Sequence, residues 1–416
     1  MLIPFILMLA SIAAMPLLNH HWWERFYPAV ATILAAVCAG YYLLILKDVT
    51  RMGHVAHEYL SFVILIGSLY VVAGGIHIRV KGEATPLTNS LFLLIGAVLA
   101  NLIGTTGASM LLIRPWIRMN RYRVTAFHII FFIFIVSNIG GCLTPIGDPP
   151  LFLGYLKGVP FWWVLENCWR AWLLGVFVLI FVFYCFDRRN FLRAPKEVRE
   201  LETAHEQWRF DGLFNLAFIA ALLGAVFLPP WVREAVMVLT GLASYALTPQ
   251  EIHRSNDFTM EPIKEVAWIF IGIFATMVPA LDFLELHSYA LGIHSGTQYF
   301  WFTGLLSGFL DNAPTYLAFL ATAFGTKGLS LDNPAHMTQF ISQEGLELVA
   351  ISIGAVFFGA LTYIGNGPNF MVKSIAHKSG IRMPGFLGYL TKYSLPILLP
   401  LFILVSLLFF SRWRIF

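Results

Sequence analysis

The stretch GGCLTPIGDPPLFLGY, residues 140–155, interrupts an apolar segment and has a counterpart in GALTYIGNGPNFMVKS, residues 359–374. Both read Gly, one residue, Leu-Thr, one residue, Ile-Gly, one residue and then a proline within two positions. Proline inside a helix removes a backbone donor and clashes with the preceding turn, which costs about 3 kcal/mol or more. Each stretch therefore predicts a helix that unwinds and then resumes. Because apolar helices are common and such a break is not, the pair indicates an internal repeat.

The composition is that of a helical membrane protein. The chain has 416 residues, of which 58% are hydrophobic and 12% are charged, and many apolar runs approach the length that crosses a bilayer at about 1.5 Å per residue. The first run, residues 2–18, has no basic start and no convincing cleavage site, so we expect a retained span. The four cysteines lack CxxC spacing, which indicates neither a disulfide framework nor a zinc site. No Walker loop, dinucleotide fingerprint or nucleophile elbow occurs, and no enzymatic activity is predicted.

Lys and Arg cluster in two loops, residues 114–123 and 187–209. By the positive-inside rule we expect both on the cytoplasmic side of a cell inner membrane, and membrane topology rather than nucleic-acid binding accounts for their charge. Residues 79–87 are also basic, so residues 88–113 must enter and return on the same side. Their middle, NLIGTTGAS at residues 101–109, is rich in Gly and Thr, which is typical of the tip of a re-entrant hairpin.

A second interrupted segment lies at residues 298–324, with Asp311, Asn312 and Pro314 at its centre. It is predicted to be a second hairpin that enters from the opposite face, because its flanking loop, residues 325–345, holds one lysine beside acidic residues. An odd number of crossings then separates the two breaks. The repeats therefore have inverted topology, which is typical of secondary transporters.

The predicted fold class is an all-α polytopic membrane protein with inverted repeats, each containing a re-entrant hairpin and a broken transmembrane helix. Unwound backbone at the breaks must face protein or a water-filled cavity rather than lipid. The predicted domains are scaffold helices at 1–87, a first transport unit at 88–186 (hairpin 88–113, broken helix 124–159), a basic loop at 187–209, scaffold helices at 210–281 and a second transport unit at 298–416 (hairpin 298–324, broken helix 346–377).

Two carboxylates lie at the interruptions, Asp148 in the first break and Asp311 in the second hairpin tip. A carboxylate at mid-membrane costs on the order of 2.5–3.5 kcal/mol, so both are functional candidates. Each has a structural alternative, since Asp148 could cap the helix that resumes at residue 151 and Asp311 could form a tight turn. Hard oxygen donors near both suit sodium or a proton rather than a transition metal. The candidate cation-binding residues are Asp148, Asp311, Asn312, Thr315, Thr105, Thr106, Ser109, Asn138, Thr144, Gly147, Thr362, Gly365, Asn366 and Asn369.

The motifs FLDNAPTYLAF, residues 309–319, and LTPIGDPP, residues 143–150, resemble the ion transporter superfamily. This superfamily groups NhaD-type sodium/proton antiporters, ArsB-type arsenite permeases and citrate and dicarboxylate carriers. The DNAP tip of the first motif is similar to the tip of the antiporter and arsenite branches, and the TPIG of the second is similar to their first break. The resemblance spans roughly residues 58–400.

The resemblance implies a dimeric elevator, in which a transport domain of two hairpins and two broken helices slides against a scaffold. It also implies sodium sites between each tip and its broken helix, which places residues 105–109 against 144–148 and residues 311–315 against 365–369. The first tip here, Thr-Thr-Gly-Ala-Ser, departs from the Ser-Asn-Thr of the dicarboxylate carriers. This departure speaks against a carboxylate substrate.

The favoured hypothesis is a secondary antiporter that exchanges sodium for protons. Two carboxylates face the predicted cavity and no unambiguous arginine lies beside either break, so an anion would meet repulsion. We expect no cofactor beyond the sodium ion, membrane lipid and small inorganic cations as partners, and a homodimer. The alternatives are a sodium-coupled transporter of citrate or another organic anion, an arsenite-type permease, and a membrane-embedded enzyme or channel.

Overall fold

The computed structural model is almost entirely helical. Residues 194–208, most of the predicted cytoplasmic loop 187–209, lie outside the described residues, and so do residues 80–84 of the basic stretch at 79–87. The residues that the structure describes are 1–79, 85–193, 209–331 and 333–411.

The helices range from a single turn to more than thirty residues. They are α1 (Ile3–Leu18), α2 (His20–Gly40), α3 (Val49–Gly74), α4 (Pro86–Met119), α5 (Ala126–Ile135), α6 (Pro149–Leu156), α7 (Phe161–Arg193), α8 (Asn215–Ala225), α9 (Val232–Leu247), α10 (Gln250–Ser255), α11 (Glu261–His287), α12 (Gly296–Phe309), α13 (Asn312–Gly325), α14 (Pro334–Phe358), α15 (Gly367–Lys378), α16 (Phe386–Tyr389) and α17 (Leu395–Val405).

Two short strands depart from the predicted all-α class. β1 (His77–Arg79) and β2 (Arg209–Asp211) pair antiparallel, with His77 opposite Asp211. The strands lie where the chain leaves α3 and enters α8. Extended backbone at this point gains ladder hydrogen bonds that no helix supplies there.

Seven of the described helices are long and apolar enough to cross a membrane. Large apolar side chains such as Phe177 and Leu239 are 66% exposed, as expected for helices that face lipid rather than water. The chain is a multi-pass helical membrane protein. The candidate spans are His21–Ile45, Val49–Gly74, Pro86–Met119, Phe161–Arg193, Glu261–Leu291, Ala335–Leu361 and Phe386–Phe410.

The helix α4 reverses direction at Gly104 and forms an antiparallel pair of arms, the first hairpin. Gly104 has φ 75° and ψ 156°, a conformation that residues with a side chain rarely adopt. The arms pair symmetrically about this tip, because Asn89 Nδ2 donates to Asn120 Oδ1 at 2.8 Å and the rings of Phe92 and Trp116 stack at 5.4 Å. The hairpin is longer at both ends than the sequence predicts.

The helices α12 and α13 form the second hairpin, joined at Leu310 and Asp311. Asp311 begins α13 as its N-cap, since the backbone N–H of Ala313 donates to Asp311 Oδ1 at 3.0 Å. At the open end, the side chain of Tyr299 on α12 meets that of Thr326 just after α13. Whether either hairpin is re-entrant in a membrane stays a prediction.

Both proline-containing stretches interrupt helices. A 3₁₀ turn at Ile139–Gly141 and irregular backbone separate α5 from α6, and we call these residues the first break. A 3₁₀ turn at Gly359–Leu361 and irregular backbone separate α14 from α15, and these form the second break. The helix α14 begins at Pro334, well before the predicted start at residue 346, and departs from helical geometry at Glu344.

The two halves interlock around the breaks. The helix α6, which follows the first break, packs against α13 of the second hairpin. The helix α15, which follows the second break, packs against α4 of the first hairpin. The helix α3 contacts both α4 and α6. The breaks and tips therefore meet inside the protein, away from lipid.

Residues near helix ends contact one another at two places. Arg114 pairs with Asp257 at 3.5 Å, and β1 contacts α4. Elsewhere the Tyr42 hydroxyl donates to Asp282 at 2.5 Å and Arg51 pairs with Asp282. Which end of the molecule faces the cytoplasm stays a prediction.

Candidate functional site

The glycines that the two breaks share fold each break into a tight loop. A Cβ on Gly147 would lie 2.1 Å from the carbonyl oxygen of Gly141, and a Cβ on Gly365 would lie 2.7 Å from that of Gly359. Backbone approaches this close exclude any side chain. The shared spacing G-x-L-T-x-I-G is therefore a requirement of the loop itself.

The threonine of each break is hydrogen-bonded to the first arm of its own hairpin. Thr144 Oγ1 donates to the Asn101 carbonyl oxygen at 2.6 Å, and Thr362 Oγ1 donates to the Gly308 carbonyl oxygen at 2.6 Å. In the first half the backbone N–H of Thr105 also donates to a carbonyl oxygen of the break at 2.8 Å. Protein groups thus satisfy backbone that the helix leaves unpaired.

Asp148 lies where both hairpin tips and both breaks converge. Its Oδ1 accepts hydrogen bonds from Thr105 Oγ1 at 2.7 Å and from Asn366 Nδ2 at 2.9 Å, and its Oδ2 accepts one from Asn312 Nδ2. Asp148 is 1% exposed. Thr105 and Asn312 each follow a tip, whereas Asp148 and Asn366 each follow an Ile-Gly pair. The cluster thus consists of four residues at two pairs of equivalent positions, and Asp148 is the one of the four that can carry a charge.

No protein cation balances the charge of Asp148. Its three donors are neutral, and it forms no ion pair with a Lys, Arg or His in the part of the chain that the structure describes. A buried carboxylate without a counter-charge is unfavourable unless it is protonated or binds a cation. Asn312 Oδ1, on the side chain that contacts Asp148, is buried and has no hydrogen-bond partner among the described residues. It is a further oxygen that a cation would contact.

The two candidate carboxylates differ in structural role. Asp311 caps α13 through Ala313, and its carbonyl oxygen accepts the Thr315 hydroxyl at 2.9 Å. Asp148 holds the corresponding N-cap position of α6, but its side chain makes no capping hydrogen bond. The capping alternative is therefore wrong for the Asp148 side chain, whereas Asp311, for which a tight turn was the alternative, caps α13. Asp311 still acts electrostatically on Asp148.

Asparagines connect the first break to the second. Asn138 Nδ2 donates to Asn369 Oδ1 at 2.7 Å, and Asn366 Nδ2 approaches Asn138 Oδ1 at 3.3 Å. Asn369 Nδ2 donates to the carbonyl oxygens of Gly359 at 2.8 Å and Thr362 at 2.9 Å. These amide hydrogen bonds join the first break to the second next to Asp148.

A small cavity opens beside the cluster. Its walls include Thr105, Thr106 and Asp148 together with Leu69 of α3. Its volume is about 20 Å³, and a single water needs roughly 10–15 Å³. The cavity accommodates one ion or water.

Two of the predicted site residues outside this cluster, Ser109 and Thr315, are hydrogen-bonded elsewhere. Ser109 Oγ shares a hydrogen bond with Ser137 Oγ at 2.7 Å. The Thr315 hydroxyl is hydrogen-bonded to its own helix. Gly147 and Gly365 contribute backbone only.

Sequence reasoning missed Asn101, which fastens the first break to the first hairpin. Its Nδ2 donates to the Gly140 carbonyl oxygen at 2.7 Å, and its Oδ1 accepts the Leu143 N–H at 2.8 Å. The available signal was a primary amide in an otherwise apolar hairpin arm, a few residues before the Gly-Thr tip.

A comparison with known protein families assigns the chain to one of them. A family model described as "Putative citrate transport" matches residues 1–410. The chain belongs to this citrate transport family. The match confirms the resemblance to the superfamily that contains the citrate carriers, and citrate transport family membership supports a secondary transporter. The comparison with curated proteins gave no match.

Proposed function

We propose that the chain is a sodium/proton antiporter in which Asp148 binds the two cations alternately. The observation that carries the proposal is a buried carboxylate held by three neutral donors and, among the described residues, by no basic side chain. A protonated Asp148 is neutral, whereas a deprotonated Asp148 needs a cation. Competition between a proton and sodium for one carboxylate is sufficient for exchange.

The chemistry of the surrounding oxygens fits sodium. The Asp148 carboxylate, the Thr105 hydroxyl and Asn312 Oδ1 are hard donors. Among the described residues, no group of three or more His, Cys, Asp or Glu side chains could hold a metal ion. The adjoining cavity of about 20 Å³ has room for a small cation.

We further infer inverted repeats and an elevator-type homodimer in the inner membrane, with loops 114–123 and 187–209 in the cytoplasm. The matched hydrogen bonds of Thr144 and Thr362 to their own hairpins support the repeat. The crossed packing of α6 and α15 supports one transport unit built from both halves. Cysteine cross-linking between this unit and α3 in inward- and outward-favouring conditions tests the movement.

Proteoliposomes that contain a pH-sensitive dye test the exchange. We expect a sodium pulse to drive proton movement through the wild-type protein without added organic acid, and Asp148→Asn to abolish it. Asp257→Asn is the matched control, because that carboxylate is 80% exposed. Wild-type activity that survives in Asp148→Asn would contradict the proposal, as would the lack of sodium-driven proton movement at any pH.

Cation-coupled citrate transport is the second candidate, which the family description favours. Lys373, half-buried on α15, lies 4.1 Å from the ring centroid of Tyr363 in the second break and has no ion pair in the described parts of the chain. Such an ammonium group would attract a carboxylate. Uptake of labelled citrate that depends on sodium or protons, and falls in Lys373→Gln, would replace antiport with this function.

A further inference from the structure

The second hairpin and α14 enclose buried polar atoms without partners. Among the described residues these atoms are Glu347 Oε2, Thr303 Oγ1, Ser352 Oγ and Asn312 Oδ1. Glu347 is 6% exposed and the other three side chains at most 1%. Residues 85–193, which hold the first hairpin and the first break, contain no such atom. Since buried polar groups are nearly always hydrogen-bonded, the concentration of these four around the second hairpin and α14 calls for a ligand.

One end of this group reaches the surface. Glu347 lies one turn from Glu344, whose Oε1 contacts Lys327 Nζ at 2.5 Å. The Lys327 and Glu344 side chains are 35% and 26% exposed, so this pair forms the entrance. The hydrogen bond with Glu344 raises the pKa of Lys327 above its ordinary value, which keeps the ammonium charged.

The titratable groups that face Glu347 leave one negative charge unbalanced. They are Glu344 on the same helix, Lys327 beyond α13 and Tyr299 on α12. The single ammonium group of Lys327 faces the two carboxylates of Glu344 and Glu347. The backbone of α14 departs from helical values at Glu344, with φ −130° and ψ 31°, one turn before the buried carboxylate.

The other end of the group reaches Asp148. Tyr316 is four residues after Asn312 and shares its face of α13. The Tyr316 hydroxyl lies beside Ser352 on α14. It also lies so close to α6 that a Cβ on Gly154 would be 2.3 Å away. Because Asn312 donates to Asp148, the face of α13 that carries Tyr316 also carries a hydrogen-bond donor to the carboxylate.

Between its two ends, this group of buried polar atoms lies along α12 and α14. Ser307 Oγ donates to the Ala355 carbonyl oxygen at 2.6 Å, and Gly296 lies against Leu346. The two helices therefore run side by side in parallel, which puts Thr303 level with Ser352. From Glu347 to this level is a rise of about 7.5 Å, a distance that the glutamate side chain and bridging water cover.

We propose that Glu347 is a proton-binding site and that Thr303, Ser352 and Tyr316 relay protons between it and Asp148. The proposal rests on the proposed antiport and adds a route that protons take and sodium does not. When sodium binds Asp148, the carboxyl proton passes through bridging water to the Tyr316 hydroxyl, each hydroxyl accepts one proton and releases one, and the Glu347 carboxylate accepts the last. Glu347 then releases it at the Lys327–Glu344 entrance.

Two transport assays on the full-length protein in proteoliposomes separate this route from the sodium site. Exchange of labelled sodium for unlabelled sodium needs no proton transfer, whereas sodium-driven proton movement does. We expect Glu347→Gln to retain sodium–sodium exchange and to lose about tenfold or more of the proton flux, since a positioned acid–base group contributes at least that much.

Hydroxyl variants give an independent test. Thr303→Val and Ser352→Ala should slow the proton flux and leave sodium–sodium exchange unchanged. Thr322→Val is the matched control, because its buried hydroxyl is already hydrogen-bonded to the Ala318 carbonyl oxygen at 2.9 Å. If Glu347→Gln does not fold, the double variant Thr303→Val/Ser352→Ala tests the relay instead. Normal proton flux in this double variant would overturn the relay.

The outcomes distinguish the two proposals. Normal proton flux in Glu347→Gln overturns the relay and leaves the antiport intact. Equal loss of both transport modes also overturns the relay, because it assigns Glu347 a structural role. A wild-type protein that shows neither mode overturns the antiport, and the relay with it.

Discussion

The two hairpins share a plan but differ at their open ends. At the first, Arg123 pairs with Asp187, and Asn89 Nδ2 donates to Asp187 Oδ2 at 2.8 Å, with Asp187 0% exposed. At the second, Lys327 and Glu344 pair near the surface, and Glu347 lies behind them without a partner for its Oε2 among the described residues.

The comparison shows which features the two halves of the repeat share and which they do not. Both halves keep the glycines and threonines that shape the break, because those devices act on backbone. The polar side chains have diverged. Among the described residues, buried side-chain polar atoms within 85–193, which hold the carboxylate, all have partners, whereas the second hairpin and α14 retain polar atoms that are free to bind a proton or water.

The largest expected effect comes from the open end of the first hairpin. Asp187→Asn leaves the buried Arg123 charge uncompensated and should lower the free energy of unfolding by about 3–5 kcal/mol. Glu344→Gln, in the partly exposed pair of the second hairpin, should cost no more than about 1 kcal/mol. Denaturant unfolding in detergent measures both, and equal losses would remove the distinction between the two ends.

A smaller effect is expected at the break glycines. Gly147→Ala and Gly365→Ala force a Cβ against a carbonyl oxygen and should each cost about 1–3 kcal/mol, with the greater loss at Gly147 because its approach is closer. Gly367→Ala is the control, since open space surrounds that position. Thermal unfolding and proteoliposome exchange report the ranking, which fails if the control is as damaging as the other two.

The smallest effect separates two threonines near the tips. Thr105→Val removes a charge-assisted hydrogen bond to Asp148 and should reduce sodium–proton exchange by about tenfold, which corresponds to roughly 1.5 kcal/mol. Thr315→Val removes only a bond to its own helix and should change exchange little. Similar exchange rates for both variants would show that the Thr105 hydroxyl does not act through Asp148.

Much of the local structure could be predicted because the residues at the breaks and tips are unusual within an apolar helix. Prolines, glycines and a carboxylate within residues 140–155 mark an unwound segment, and Gly and Thr within residues 101–109 mark the first tip. These signals depend on neighbouring residues only. The sequence therefore indicated where the chain unwinds and turns without any knowledge of its partners.

The partners themselves could not be predicted. Asp148 and Asp311 read alike in sequence, yet one contacts both tips and the other caps its own helix. Their difference depends on contacts between segments far apart in the chain. Glu347 escaped notice because it stands at the predicted start of a span, whereas α14 begins at Pro334, so that Glu347 lies within the helix and is buried.

Calorimetric titration of sodium into the purified protein tests the central claim most directly. If sodium displaces the proton of Asp148, the heat of binding to the wild type must vary with the ionisation enthalpy of the buffer, and Asp148→Asn must bind no sodium. Sodium binding of wild-type strength in Asp148→Asn, or a wild-type heat that is the same in every buffer, would contradict the account.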